Sequence, residues 1–279
     1  MLSPLFIHAV LSAQGKPVER THSITGQIVR IADFESKTLG NKRGIWIYTP
    51  PGYAESKESY PVLYMHDGQN VFDGYTSYIP NQEWRADEAA EALIKAKMIK
   101  PIIIVGIENA GAERANEYLP TKAKMGDNEA GGNADQYGKF ISDEVMPWVA
   151  SHYRVKAGAK NTGLIGSSFG GIITLYLGLK EPQRYGRIGV VSPSVWWDGK
   201  SILGWVRKQK KQGSRVWVDM GTSEGFRSVE DSRALVVALE GIGFSQGKDL
   251  SYYEDGYAEH NELAWSRRIG LMMYWLFKD

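Results

Sequence analysis

Hydrophobic and polar positions along this chain switch between two periods, and the switching predicts its architecture. Pro61-Val62-Leu63-Tyr64-Met65 reads as a short buried strand, and Ile102-Ile103-Ile104-Val105 as a central parallel strand apolar on both faces. Residues 25–33 and 43–49 suit an antiparallel pair turning at Gly40-Asn41 and ended by Pro50-Pro51-Gly52. Helical spacing takes over at 84–98, where Ala86, Ala89, Ala90, Leu93 and Ala96 share a face, and at 135–152, striped by Phe140, Ile141, Val145, Trp148 and Val149. Further strands are expected at 162–166, 187–192, 215–220 and 249–254. Helices are expected at 169–180 (stopped before Pro182), 201–210, 229–241 and 262–277. Strands alternating with helices call for a mostly parallel sheet covered by helices on both faces, and one α/β domain over 15–279 is the economical reading. The basic run Val206–Lys211 is then a solvated helix end, and 113–118 a loop after the 101–107 strand.

Composition narrows the partners. A formal net charge of +1 gives no electrostatic reason to expect nucleic acid or an acidic membrane surface, and no apolar run in the body reaches a membrane span. The absence of cysteine removes disulfides, thiolate metal sites and a Cys nucleophile. Five scattered histidines lack metal-ligand spacing, so neither a metal nor any other cofactor is expected. Residues 1–14 carry an apolar run, Leu5–Leu11, ending in Ser12-Ala13; this is read either as a secretory-signal remnant, which implies a periplasmic or secreted protein, or as a native arm of a cytoplasmic one. No feature of the sequence sets an oligomeric state.

The chemistry centres on Gly166-Ser167-Ser168-Phe169-Gly170-Gly171, between an apolar strand and an amphipathic helix. This is the strand, sharp turn and helix that a G-x-S-x-G nucleophile elbow requires. The frame selects Ser168: with Ser167 at the apex, Ile165 and Phe169 would occupy the positions that need glycine. A serine hydroxyl needs a neighbouring base near neutral pH. His260 is the one histidine C-terminal to Ser168, and it lies in the polar loop after the last expected strand. A carboxylate beyond the 215–220 strand would orient that imidazole; Glu224 is preferred over Asp219, Glu230 and Asp231. Oxyanion donors are expected from the backbone N–H of Phe169 and of Gln69, with Gly68 letting that backbone approach substrate. Trp196 and Trp197, where a strand ends on the active-site side, are candidates for stacking on a sugar or aromatic acyl group, and Arg114 for the cleft border.

Assembled, these segments resemble a family of α/β-hydrolase esterases that includes enterobactin-type siderophore esterases, esterase D, feruloyl and acetyl-xylan esterases and mycolyltransferases. The resemblance rests on Tyr64–Asp73, Gly166–Gly171, Ser192-Pro193-Ser194-Val195-Trp196-Trp197, Gly221-Thr222-Ser223-Glu224 and Glu259-His260. It implies an oxyanion N–H on Gln69 and the triad acid on Glu224, and departs from the family at Glu259, where a glycine is usual. The expected function is a serine carboxylic-ester hydrolase working through an acyl-enzyme on acyl esters of carbohydrates or related small molecules. Rivals are an acyltransferase with the same triad, a siderophore trilactone esterase, and a non-catalytic ligand-binding domain, which predicts loss of the nucleophile, base or elbow glycine.

Overall fold

A computed structural model describes residues 18–278, so the leading run at 1–14 lies outside the described residues. The strands are β1 (Gln27–Ser36), β2 (Asn41–Thr49), β3 (Val62–His66), β4 (Ile103–Ile107), β5 (Ala123–Met125), β6 (Asn128–Ala130), β7 (Thr162–Ser167), β8 (Arg187–Val191), β9 (Arg215–Gly221) and β10 (Leu250–Asp255). The helices are α1 (Ala86–Lys95), α2 (Arg114–Tyr118), α3 (Ala134–Lys139), α4 (Met146–His152), α5 (Phe169–Lys180), α6 (Trp197–Val206), α7 (Phe226–Gly241), α8 (Glu262–Ser266) and α9 (Ile269–Phe277).

Eight strands form one sheet in the order β1-β2-β4-β3-β7-β8-β9-β10, while β5 and β6 pair separately. The six strands from β4 to β10 run parallel, and β2 and β1 are added antiparallel, as the hydrophobic pattern predicts. Alternate strand residues feed two sides. Leu63, Met65, Ile104, Ile165 and Trp217 pack with α1, α8 and α9. Val62, Tyr64, Leu164, Val190 and Val218 face the helices of the other side. The order reverses at β3: the chain leaves it for β4 on one side, then returns to β7 on the other. A crevice outside the carboxyl ends of β3 and β7 is the place where such sheets bind ligands.

Four local differences from the predicted elements have physical causes. The 135–152 helix is broken by a π-helical turn at Phe140–Val145, because Pro147 opens α4 without an N–H to continue the ladder. Helix α6 starts at Trp197 with Asp198, Gly199 and Lys200 at positive φ and ends at Val206, leaving the basic residues from Arg207 onward outside it. The 262–277 helix divides at Arg268, whose buried side chain turns inward to Asp219 and Asp255. Residues 114–118 form helix α2 instead of a loop.

Candidate active site

Ser168 stands between β7 and α5 at φ 61° and ψ −122°, outside the regions an L-residue adopts without strain. It is half-buried, while Ser167 is buried in the strand, so the frame chosen from the glycines holds. A Cβ on Gly166 would lie 2.6 Å from the Gly170 carbonyl oxygen and 2.8 Å from His66 Cδ2. Gly170 is less constrained, its nearest neighbour being Asp67 Oδ2 at 3.3 Å. The Ser168 N–H donates to the Val191 carbonyl at 3.0 Å, and its hydroxyl pairs with the Ser194 hydroxyl at 3.1 Å. The elbow is thereby tied to the end of β8.

From that same end of β8, Ser192 reaches the third predicted component. Its hydroxyl donates to Glu224 Oε1 at 2.6 Å, and Glu224 Oε2 accepts from His260 Nδ1 at 2.5 Å. Glu224 sits in the turn after β9, and its Oε1 also receives the Gly221 N–H at 2.9 Å. Burial pushes its pKa up, but the hydrogen bonds from His260, Ser192 and Gly221, with the His260 charge, outweigh burial and hold it below the usual carboxylate value. The acceptor on Nδ1 fixes the imidazole tautomer and leaves Nε2 without a partner among the described residues, on an exposed ring packed edge-on against Trp265 at 5.1 Å. Of the rival acids, Asp219 is fully buried and engaged by Trp217 Nε1 at 2.7 Å and Arg268 at 3.1 Å; Asp231 pairs with Lys200; Glu230 is exposed on α7. Only Glu224 meets His260.

The turn after β3 faces the elbow. Asp67 takes a left-handed conformation (φ 57°) and starts a single 3-10 turn, Gly68–Asn70. Its buried carboxylate is gripped by Arg114 through two bonds of 2.7 and 2.8 Å, and by Asn109 Nδ2 at 2.7 Å. The Gln69 N–H has no acceptor among the described residues, and the Phe169 N–H, first in α5, has none inside its helix. Both are available to an oxyanion. Gly68 has a packing role that the sequence did not show: its Cβ would fall 2.5 Å from Gly106 C and 2.6 Å from Ile107 N, so glycine lets the turn pack on β4.

The pocket candidates separate. Trp196 is 52 % exposed beside Phe169, whereas Trp197 is 3 % exposed, with its Nε1 donating to the Thr121 carbonyl. Trp197 is therefore corrected to a core residue: the kink at Asp198–Lys200 turns it inward. Arg114 gives its guanidinium to Asp67 and stacks between Tyr118 and Phe169, which makes it a clamp on the turn. His66 is buried against Tyr137, and burial drives its pKa down to about 3, so it stays neutral. His22 pairs with Asp73, and His152 caps α4 through the Trp148 carbonyl. Sequence reading passed over Ser192, Ser194, Asn70, Glu262 and Arg268. Ser192, Ser194 and Asn70 stood inside quoted motifs; Glu262 and Arg268 have long-range partners with no local signature.

A mostly parallel eight-stranded sheet with this elbow at its switch point defines the α/β-hydrolase fold, and a similar solved structure, the BES protein from Bacillus cereus, matches with TM-score 0.74 at 21 % identity over 94 % of this chain and 99 % of that one. The model of the family described as "Putative esterase" matches residues 36–273: the chain belongs to that family and is an ester-hydrolysing enzyme. Among curated relatives, it is 28 % identical to an endo-1,4-beta-xylanase/feruloyl esterase of Xylanibacter ruminicola over 88 % of this chain. It is 26 % identical to the iron(III) enterobactin esterase of Escherichia coli O6:H1, again over 88 % of this chain. The matched regions span 31 % and 57 % of those two relatives.

Proposed function

We propose that this enzyme is a serine esterase with Ser168 as nucleophile, His260 as base and Glu224 as the carboxylate that orients it. The observation that carries the reading is the His260–Glu224 pair at the same sheet edge as a strained serine, with Ser192 and Val191 tying both to the end of β8. On this reading the Ser168 hydroxyl must exchange its Ser194 partner for His260 Nε2, a bond that ligand-free sites commonly leave unmade. Ser168 Oγ then attacks the ester carbonyl while His260 takes its proton. The oxyanion is received by the N–H groups of Gln69 and Phe169. His260 returns the proton to the departing alcohol, and a water activated by the same imidazole releases the acid and restores Ser168. A low Glu224 pKa suits this cycle, since the acid must stay ionised while the imidazolium forms.

For substrate we favour acyl esters of carbohydrates: Trp196 offers an exposed indole beside the elbow, and the feruloyl-esterase relative supports the same class. A siderophore lactone is the second reading, on the likeness to the enterobactin esterase. A fluorophosphonate probe tests the mechanism. It is expected to label the wild type and leave Ser168→Ala unmarked, and a panel of acetyl, feruloyl and catecholate esters ranks the substrates. Unlabelled wild-type protein would refute the serine mechanism, and transfer to an alcohol outpacing hydrolysis would make the enzyme an acyltransferase.

A further inference from the structure

One buried carboxyl at this edge has no part in the scheme above. Glu262 is the first residue of α8, two positions after His260, and is 6 % exposed. Its Oε1 accepts a hydrogen bond from Asn70 Nδ2 at 2.8 Å, joining residues 192 positions apart in the chain. The charged groups acting on it are Asp67 from the turn after β3, His260 from its own loop and Arg114 from α2, so it stands between the proposed base and the proposed oxyanion turn.

Both partners in this bond are held by their own frameworks. Asn70 Oδ1 accepts from the Tyr78 N–H at 2.8 Å, which orients the carboxamide and sends its NH2 group toward Glu262. The Asn70 carbonyl receives the Trp84 N–H at 2.8 Å. On the other side, Asn261 caps α8 by accepting the Ala264 N–H, and Trp265 in the same helix donates to Ser192 at 3.0 Å while packing on Trp84. Glu262 thus projects from a short helix anchored to the residue that also holds Glu224.

Gln69 lies between two clamps. Asp67, one end of its turn, is fixed by Arg114 and Asn109; Asn70, the other end, is fixed by Glu262. On the reading of Gln69 as an oxyanion donor, we propose that Glu262 is a positioning residue, which through Asn70 sets the direction of the Gln69 N–H and couples the oxyanion turn to the loop carrying His260. The group works as an acceptor, so the carbonyl of a glutamine can replace it. Burial, reinforced by the charge of Asp67, raises its pKa to about 7, consistent with a carboxyl retained there despite the cost of ionising it.

The test compares Glu262→Ala, Glu262→Gln, Asn70→Ser and the Ala–Ser double variant on a soluble aryl ester. A misdirected oxyanion donor weakens the transition state and spares ground-state binding. Glu262→Ala is therefore expected to lower kcat by about 10- to 100-fold with KM changed by less than about threefold. Glu262→Gln should recover most of that loss, and the double variant should be no slower than the worse single one. If Glu262→Ala does not fold, Asn70→Ser carries the same kcat-against-KM comparison, because it removes the amide donor and leaves the carboxyl in place. Equal losses in the Ala and Gln variants, an effect confined to KM, or additive losses would each overturn the proposal. Normal turnover by Glu262→Ala beside an inactive Ser168→Ala sinks this inference alone; an active Ser168→Ala sinks the serine mechanism beneath it.

Discussion

Replacing Arg114 by alanine decides whether this side chain holds the turn after β3 or meets the ligand directly. The Asp67 carboxylate is 6 % exposed and receives two charge-assisted bonds from Arg114, whose own side chain is 25 % exposed. Breaking a buried pair by removing one partner typically costs about 3–5 kcal/mol. The exposure of Arg114 and the surviving bond from Asn109 place the expected loss at the lower end, about 3 kcal/mol. For 279 residues, an unfolding entropy of roughly 2.1 cal/mol/K per residue makes that a fall in Tm of about 5 °C.

The loss should also depend on pH. Burial pushes the Asp67 pKa up, but the charge and hydrogen bonds of Arg114, with the bond from Asn109, outweigh burial and hold it low. A depressed carboxylate contributes stability above its unfolded value of about 3.9, and the contribution is lost as pH falls through the folded pKa. The gap between wild type and variant should be full near neutrality and narrow in acid. Calorimetric melts across that range measure it, and steady-state assays should show kcat falling more than KM rises. A variant that melts with the wild type at neutral pH, yet binds a polar ester more weakly, would refute the clamp and return Arg114 to the ligand.

Three further outcomes are expected. Glu224→Gln should lower kcat by about 10³- to 10⁴-fold, because it removes the charge that orients and stabilises the imidazolium; a loss below tenfold would mean another group supplies the acid. Trp197→Ala should destabilise by about 3–5 kcal/mol, as a core indole does, while Trp196→Ala should cost less than about 1 kcal/mol and act on KM for glycosyl or aryl esters, so denaturant melts and a substrate panel separate the two. For Glu262 the folded pKa of about 7 lies above the unfolded value of about 4.3, so the native state binds the proton more tightly and stability declines as pH rises through that window. Glu262→Gln should accordingly gain on the wild type above about pH 7, by on the order of 3 kcal/mol at most, and lose that advantage in acid; a pH-independent difference in urea midpoints would contradict the raised pKa.

Much of this molecule was legible without coordinates wherever local pattern and global structure agree. Apolar runs at β3 and β4 named central strands because a strand covered on both faces cannot alternate. Gly166, two residues before Ser168, selected the serine, because a side chain there would clash with Gly170 in the next turn of the chain. His260 was found by elimination and loop position, and Glu224 by its turn at a strand end.

Where the reading failed, the deciding contact lay far away in sequence. Two adjacent tryptophans look alike in a string, and it is the burial of Trp197, with its indole bonded to the distant Thr121 carbonyl, that separates it from the exposed Trp196. Gly68 was read only for its approach to a ligand, and its packing against β4 is a constraint the string does not show. Sequence alone determined the order of the main-sheet strands and the larger helices and the residue types able to do chemistry, because those follow from periodicity and from what each residue type can donate or accept. Tertiary structure alone decided which of them meet: Arg114 with Asp67, Ser192 with Glu224 and Asn70 with Glu262 are joined by a parallel sheet that brings the ends of distant strands to one edge.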